Sequence, residues 1–117
     1  MPMRDTEYDG AVPVDGYGPG FFRVGGKVLH GPVVVTADGP QSWGGLGDVA
    51  GLVALARSVD VLFVGMGAEI ARLPGPAVAA LDAAGLMVET MSTPSAARSY
   101  NVTLAEGRRV ACALIPV

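Results

Sequence analysis

In the second half of the chain the hydrophobic positions alternate between short unbroken runs and stripes at helical spacing. Asp60-Val61-Leu62-Phe63-Val64-Gly65 is such a run, rich in β-branched residues, and predicts an interior strand buried on both faces. Pro74-Gly75-Pro76 then leads into a helix over Ala77 to Ala84, where Gly85 takes the position that favours a left-handed residue. Leu86-Met87-Val88 predicts another strand ending at Glu89. Thr93 before Pro94 reads as a helix start, with the threonine hydroxyl accepting an otherwise orphaned N–H, and the helix runs to Glu106 until Gly107 stops it. From Arg108 the pattern is that of a buried strand, with Val110, Cys112 and Leu114 on one face and Ala111, Ala113 and Ile115 on the other.

The first half is broken differently. Residues 1–47 hold 11 of the 17 glycines and 5 of the 9 prolines, interrupted by short apolar pieces. Phe21-Phe22-Arg23-Val24 and Lys27-Val28-Leu29 predict antiparallel strands joined by a Gly25-Gly26 hairpin turn, and Val33-Val34-Val35-Thr36 predicts a third, bounded by Pro32 and Asp38-Gly39-Pro40. Asp48 can cap a helix in which Val49, Leu52, Val53 and Ala56 share a face. Strands alternating with helices after residue 47 predict an α/β domain with short antiparallel strands added at the N-terminus. No repeat or linker divides it, so residues 1–117 are read as one domain.

Composition narrows the function. The 117 residues are 50% hydrophobic and 16% charged, which predicts a folded core. Eleven acidic against eight basic side chains give a net charge of -3, and Arg108-Arg109 is the only adjacent basic pair, so duplex nucleic acid is not expected as a partner. No apolar run approaches the length of a membrane span and Met1 to Glu7 lack a signal-peptide core, which predicts a cytoplasmic protein without membrane insertion. One Cys and one His exclude the usual zinc sites and any disulfide framework, and no cofactor or metal is indicated.

Gly65-Met66-Gly67 follows a buried strand, where a glycine turn can approach a phosphate. Glu89 lies about where a dinucleotide fold keeps its ribose-binding acid, but Ile70 replaces the third glycine and Pro74-Gly75-Pro76 delays the helix, so two turn glycines are the simpler reading. Two buried strands joined by a right-handed crossover should lie parallel, which places Gly65, Gly67, Glu89 and Thr93 at one sheet edge. The N–H groups of the last helix near Ser95 and Ala96 carry partial positive charge there and Arg98 lies one turn in, an arrangement that could hold a small anion. The alternative is that Thr93 serves only as a cap, Arg98 pairs with Glu89 and water fills the cleft.

Placed about 100° apart, Ala96, Ala97, Tyr100 and Leu104 gather on the core side of that helix, with Asn101 at the stripe's edge and Val102 pointing away. Asn in mid-helix costs propensity, which points to a hydrogen bond, either to the loop after Gly65 or to a neighbouring strand. His30 reads as a turn residue, Cys112 as an inert core thiol and Trp43 as a loop residue capping the core.

The strings Glu89-Thr90-Met91-Ser92-Thr93, Ala96-Ala97-Arg98-Ser99-Tyr100-Asn101 and Leu104-Ala105-Glu106-Gly107-Arg108-Arg109-Val110 resemble the family that includes respiratory complex I assembly factor 3 and the adipogenesis-associated Mth-like proteins. Gly65-Met66-Gly67, Trp43, Tyr17-Gly18 and Phe22-Arg23-Val24 extend the resemblance over nearly the whole chain, with Met66 and Ser99 standing where the family commonly has Thr. The resemblance implies a three-layer α/β fold with a central mixed sheet, flanking helices and extra N-terminal strands. It implies little chemistry, since family members are not established enzymes and the mitochondrial one is linked to assembly of a membrane respiratory complex.

The expectation is therefore a non-catalytic binding or assembly module. Gly65, Gly67, Glu89, Thr93, Arg98 and Asn101 would contact a protein partner or small anionic ligand, with self-association left open. The alternative is a small enzyme or cofactor-binding protein acting on an anionic metabolite, with Glu89 as acid or base and Arg98 as the anion clamp.

Overall fold

The computed structural model describes residues 8–68 and 71–117; the sequence readings at residues 1–7 and at Ile70 lie outside the described residues. In chain order the elements are β1 (Val14–Gly18), β2 (Phe21–Val24), β3 (Lys27–His30), β4 (Val33–Thr36), β5 (Gly39–Ser42), α1 (Val49–Val53), a 3-10 turn (Ala54–Arg57), β6 (Val61–Gly65), α2 (Gly75–Ala83), β7 (Met87–Met91), α3 (Thr93–Ala105) and β8 (Val110–Leu114). Five strands form a mixed sheet in the order β5-β4-β8-β6-β7, and β1-β2-β3 form a separate antiparallel sheet. β6 runs parallel to both β7 and β8, while β4 runs antiparallel to β8.

Every residue of β6 and β8 is buried, as their unbroken apolar runs predict. Their alternating side chains feed two cores. Val61, Phe63, Val110, Cys112 and Leu114 pack with Ala96, Ala97, Tyr100 and Leu104 of α3 and with Phe22 and Val24 of β2. Leu62, Val64, Ala111 and Ala113 face the other way, toward Leu52 of α1, Leu81 of α2 and Trp43. The result is the expected three-layer α/β fold, with the central sheet between α3 and the N-terminal sheet on one side and α1 and α2 on the other. Among the described residues, no helix is long and apolar enough to cross a membrane.

Local signals place the element ends. Asp48 caps α1 by accepting the Gly51 N–H at 3.1 Å. Gly85 follows α2 at φ 77°, and the Leu86 N–H turns back to the Leu81 carbonyl at 3.3 Å, closing the helix end.

β3, β5 and β7 differ from the sequence reading. His30, read as a turn residue, ends β3 opposite Phe21 of β2. Gly39-Pro40, read as a boundary, belongs to β5, where Pro40 sits opposite Val35; the strand lies at the sheet's edge, where a missing N–H is tolerated. β7 continues past Glu89 to Met91, because β6 offers register partners as far as Gly65: Phe63 faces Glu89, Val64 faces Thr90 and Gly65 faces Met91. Glu89 is thus a mid-strand residue. Its polarity does not break the strand, since β7 lies at the sheet's edge and the carboxylate stays in water.

Candidate functional site

The glycine loop and the start of α3 form a closed knot at the ends of β6, β7 and β8. The Thr93 hydroxyl accepts the Gly67 N–H at 2.9 Å and donates to the Ile115 carbonyl at 2.6 Å. The Thr93 N–H donates to the Gly67 carbonyl at 2.7 Å, and the Met66 N–H to the Met91 carbonyl at 2.8 Å. Gly65 completes the knot by lacking a side chain: a Cβ there would lie 2.7 Å from the Thr93 Cα. Gly67 adopts φ 99°, a backbone conformation natural to glycine alone.

Thr93 does not cap the helix. Ser92 holds the cap position, its hydroxyl donating to the Ser95 hydroxyl at 3.1 Å rather than accepting a helix N–H, and Thr93 is the first helical residue. Its side chain is fully buried among loop groups that would otherwise have no partner, and satisfying them outweighs a solvent-side cap. The Gly67 N–H that an anion would need is spent on that hydroxyl.

The other candidates lie apart. Glu89 and Arg98 are exposed, and the two do not pair. Among the described residues, an ion pair instead joins Arg109 to Asp60 at 3.1 Å on the surface. Asn101 does not reach the Gly65 loop. Its carboxamide bonds Val14 of β1, and beside it the Tyr100 hydroxyl donates to the Val12 carbonyl at 2.8 Å. These two residues fasten α3 to the N-terminal sheet.

The remaining single residues have structural roles. The Trp43 indole donates to the Asp48 carbonyl at 3.1 Å while its rings fill the α1 side of the core. Cys112 is free and buried, and burial pushes its thiol pKa up, away from reactivity. Val102 is 56% exposed, as its place on the helix requires.

Sequence reasoning missed a groove of about 630 Å³ between α2 and β7, lined by Arg72, Leu73, Val78, Asp82, Val88 and Thr90. A signal was present: Met87-Val88-Glu89-Thr90 mixes apolar and polar positions on both strand faces, which suits an edge strand rather than a buried one.

The profile of a family described as "Protein of unknown function (DUF498/DUF598)" matches residues 14–115. An uncharacterized protein of Rhodobacter capsulatus is 52% identical over 117 residues, covering 100% of this chain and 94% of that one. NADH dehydrogenase (ubiquinone) 1 alpha subcomplex assembly factor 3 of Danio rerio is 29% identical over 123 residues, covering 99% of this chain and 71% of the assembly factor. The solution structure of a Mth938-like domain from Bordetella pertussis superposes with a TM-score of 0.77 at 28% identity, covering 99% of this chain and 90% of that one.

Proposed function

The chain belongs to the DUF498/DUF598 family and is homologous to the complex I assembly factors, and from that membership we propose that it is a non-catalytic module that binds a protein partner during assembly of a respiratory NADH dehydrogenase. One observation carries this reading: the assembly factor matches 99% of the chain, so the likeness embraces the whole domain and not a shared loop. The geometry supports it. The glycine loop is filled by Thr93, and Glu89 stands exposed, with no base or nucleophile among the described residues bonded to it. The exposed apolar side chains of Val78, Met87 and Val102 offer contact area for a protein.

Deletion of the gene tests the proposal in the cell. The expected outcome is a loss of fully assembled NADH dehydrogenase on native gels, restored by the wild-type chain, with subunits or subcomplexes of that enzyme recovered on the tagged protein. Normal amounts of assembled enzyme in the deletion strain would end this reading.

A further inference from the structure

The two edges of the central sheet are built differently. β5 ends one side with Pro40, a residue that blunts an edge against further pairing. β7 closes the other side with no proline, and among the described residues its one strand neighbour is β6. The Met87 N–H donates to the Asp60 carbonyl and the Met91 carbonyl accepts from Met66, so the odd-numbered residues of β7 spend their backbone groups on the β6 side. Strand alternation then turns the N–H and C=O groups of Val88 and Thr90 outward.

Side chains flank this edge on both faces. The Val88 and Thr90 side chains point toward α2 and line the groove that Val78, 43% exposed, also borders. Met87, Glu89 and Met91 share the α3 face with their register partners Val61, Phe63 and Gly65, and Met87 is 61% exposed. Ser99 of α3 touches the Met91 sulfur, and Val102 lies one turn along the same side of that helix.

Charge favours one occupant in the register centred on Glu89. There a second copy adding its own β7 antiparallel would bond Val88 to Thr90 but set two Glu89 carboxylates directly opposite each other, where like charges are destabilising, whereas Lys or Arg in that place meets the carboxylate. Among the described residues Glu89 makes no ion pair, and its exposed carboxylate can meet a cation. We propose that the free edge of β7 is a docking edge for an extended segment of a protein partner that places Lys or Arg opposite Glu89 and apolar side chains on either side of it, directed into the α2 groove. This takes only the expectation of a protein partner from the assembly reading.

The probe is the capped peptide Thr-Val-Lys-Val-Thr, titrated against the intact, isotope-labelled chain by NMR, with Thr-Val-Glu-Val-Thr as its charge-reversed counterpart. The Lys peptide should shift the Val88 and Thr90 amides and the groove side chains, and bind more tightly than the Glu peptide. Glu89→Lys should reverse that preference. Thr90→Pro removes one outward N–H at a site where an edge strand accepts proline, and should weaken binding about tenfold or more while the rest of the spectrum stays native.

Shifts centred on β5 or the N-terminal sheet, or the same preference in Glu89→Lys, would overturn the proposal. So would β7 amide shifts that grow with the chain's own concentration, since a second copy would then hold the edge. Normal NADH dehydrogenase in the deletion strain together with intact peptide binding would remove the assembly reading and leave the docking edge standing.

Discussion

Asn101 and Val14 bond each other twice: the Asn101 Nδ2 donates to the Val14 carbonyl at 2.9 Å, and the Val14 N–H donates to the Asn101 Oδ1 at 2.9 Å. The side-chain amide stands in for a neighbouring strand's peptide group. It does so where β1 departs from regular pairing with β2, at the irregularity between Val14 and Gly16. Replacing Asn101 with Ala leaves both Val14 groups without this partner and should cost about 1–3 kcal/mol. Asn101→Asp should also destabilise, because its carboxylate would face the Val14 carbonyl. Chemical denaturation with an unchanged slope reads both effects; a wild-type midpoint for Asn101→Ala would free the residue from this structural role.

The Gly65–Thr93 knot makes a second prediction. In Gly65→Ala the new methyl meets the Thr93 backbone, which cannot swing aside, so a loss of about 1–3 kcal/mol is expected from overpacking. Thr93→Val keeps the shape and removes the hydroxyl, leaving the Gly67 N–H and Ile115 carbonyl unmatched at about 1–3 kcal/mol each. Thr93→Ser retains the hydroxyl and should be the milder change. Thermal melts of the three variants give the order, and a Val variant more stable than the Ser variant would contradict it.

Alkaline pH should unfold the protein through two core groups. Burial pushes the Tyr100 phenol above its ordinary 10.0 and the Cys112 thiol above its ordinary 9.0, so the folded state keeps protons that the unfolded chain would release. Their contribution is intact below those ordinary values and falls as pH rises past them, by about 1.4 kcal/mol per pH unit for each group. Stability measured between neutral and strongly alkaline pH should decline in this way. Cys112→Ala should delay the onset, and Tyr100→Phe should flatten the slope at higher pH.

Inorganic phosphate gives the fourth test. The Gly67 N–H is already bonded to Thr93 and Arg98 stands exposed, so phosphate should change the thermal midpoint of wild type and Arg98→Ala equally. A gain seen in wild type alone would restore the anion reading of this edge.

Buried positions were the legible ones. β6 and β8 announce themselves because a strand covered on both faces needs unbroken apolar residues, and α3 because its core stripe repeats at helical spacing. β5 and the far end of β7 were obscured by the same physics. Edge strands are half wet, so Pro40, Glu89 and Thr90 are tolerated there without a local signature. At the candidate site, the need for a hydrogen bond at Asn101 was readable from its cost in a helix. Its partner Val14 lies 87 residues away, and no local pattern encodes that distance. Thr93 misled for a related reason. Beside Pro94 it has the local form of a cap, while the partners that claim its hydroxyl, Gly67 and Ile115, come from other parts of the chain.

β8 is the last strand in chain order and the innermost in the sheet, with β4 on one side and β6 on the other. During synthesis, β4 and β6 therefore leave the ribosome with their inner edges facing an empty lane. Closing that lane joins Val33 to Leu114, a contact between segments made far apart in time, and such late, long-range pairing slows folding. Until Val110–Leu114 has emerged, the nascent chain presents two apolar strand edges with no mate, the state most open to aggregation or to chaperone capture. The strand that lies deepest in the sheet is thus the last to be made, and the sheet's middle closes only after its flanks exist.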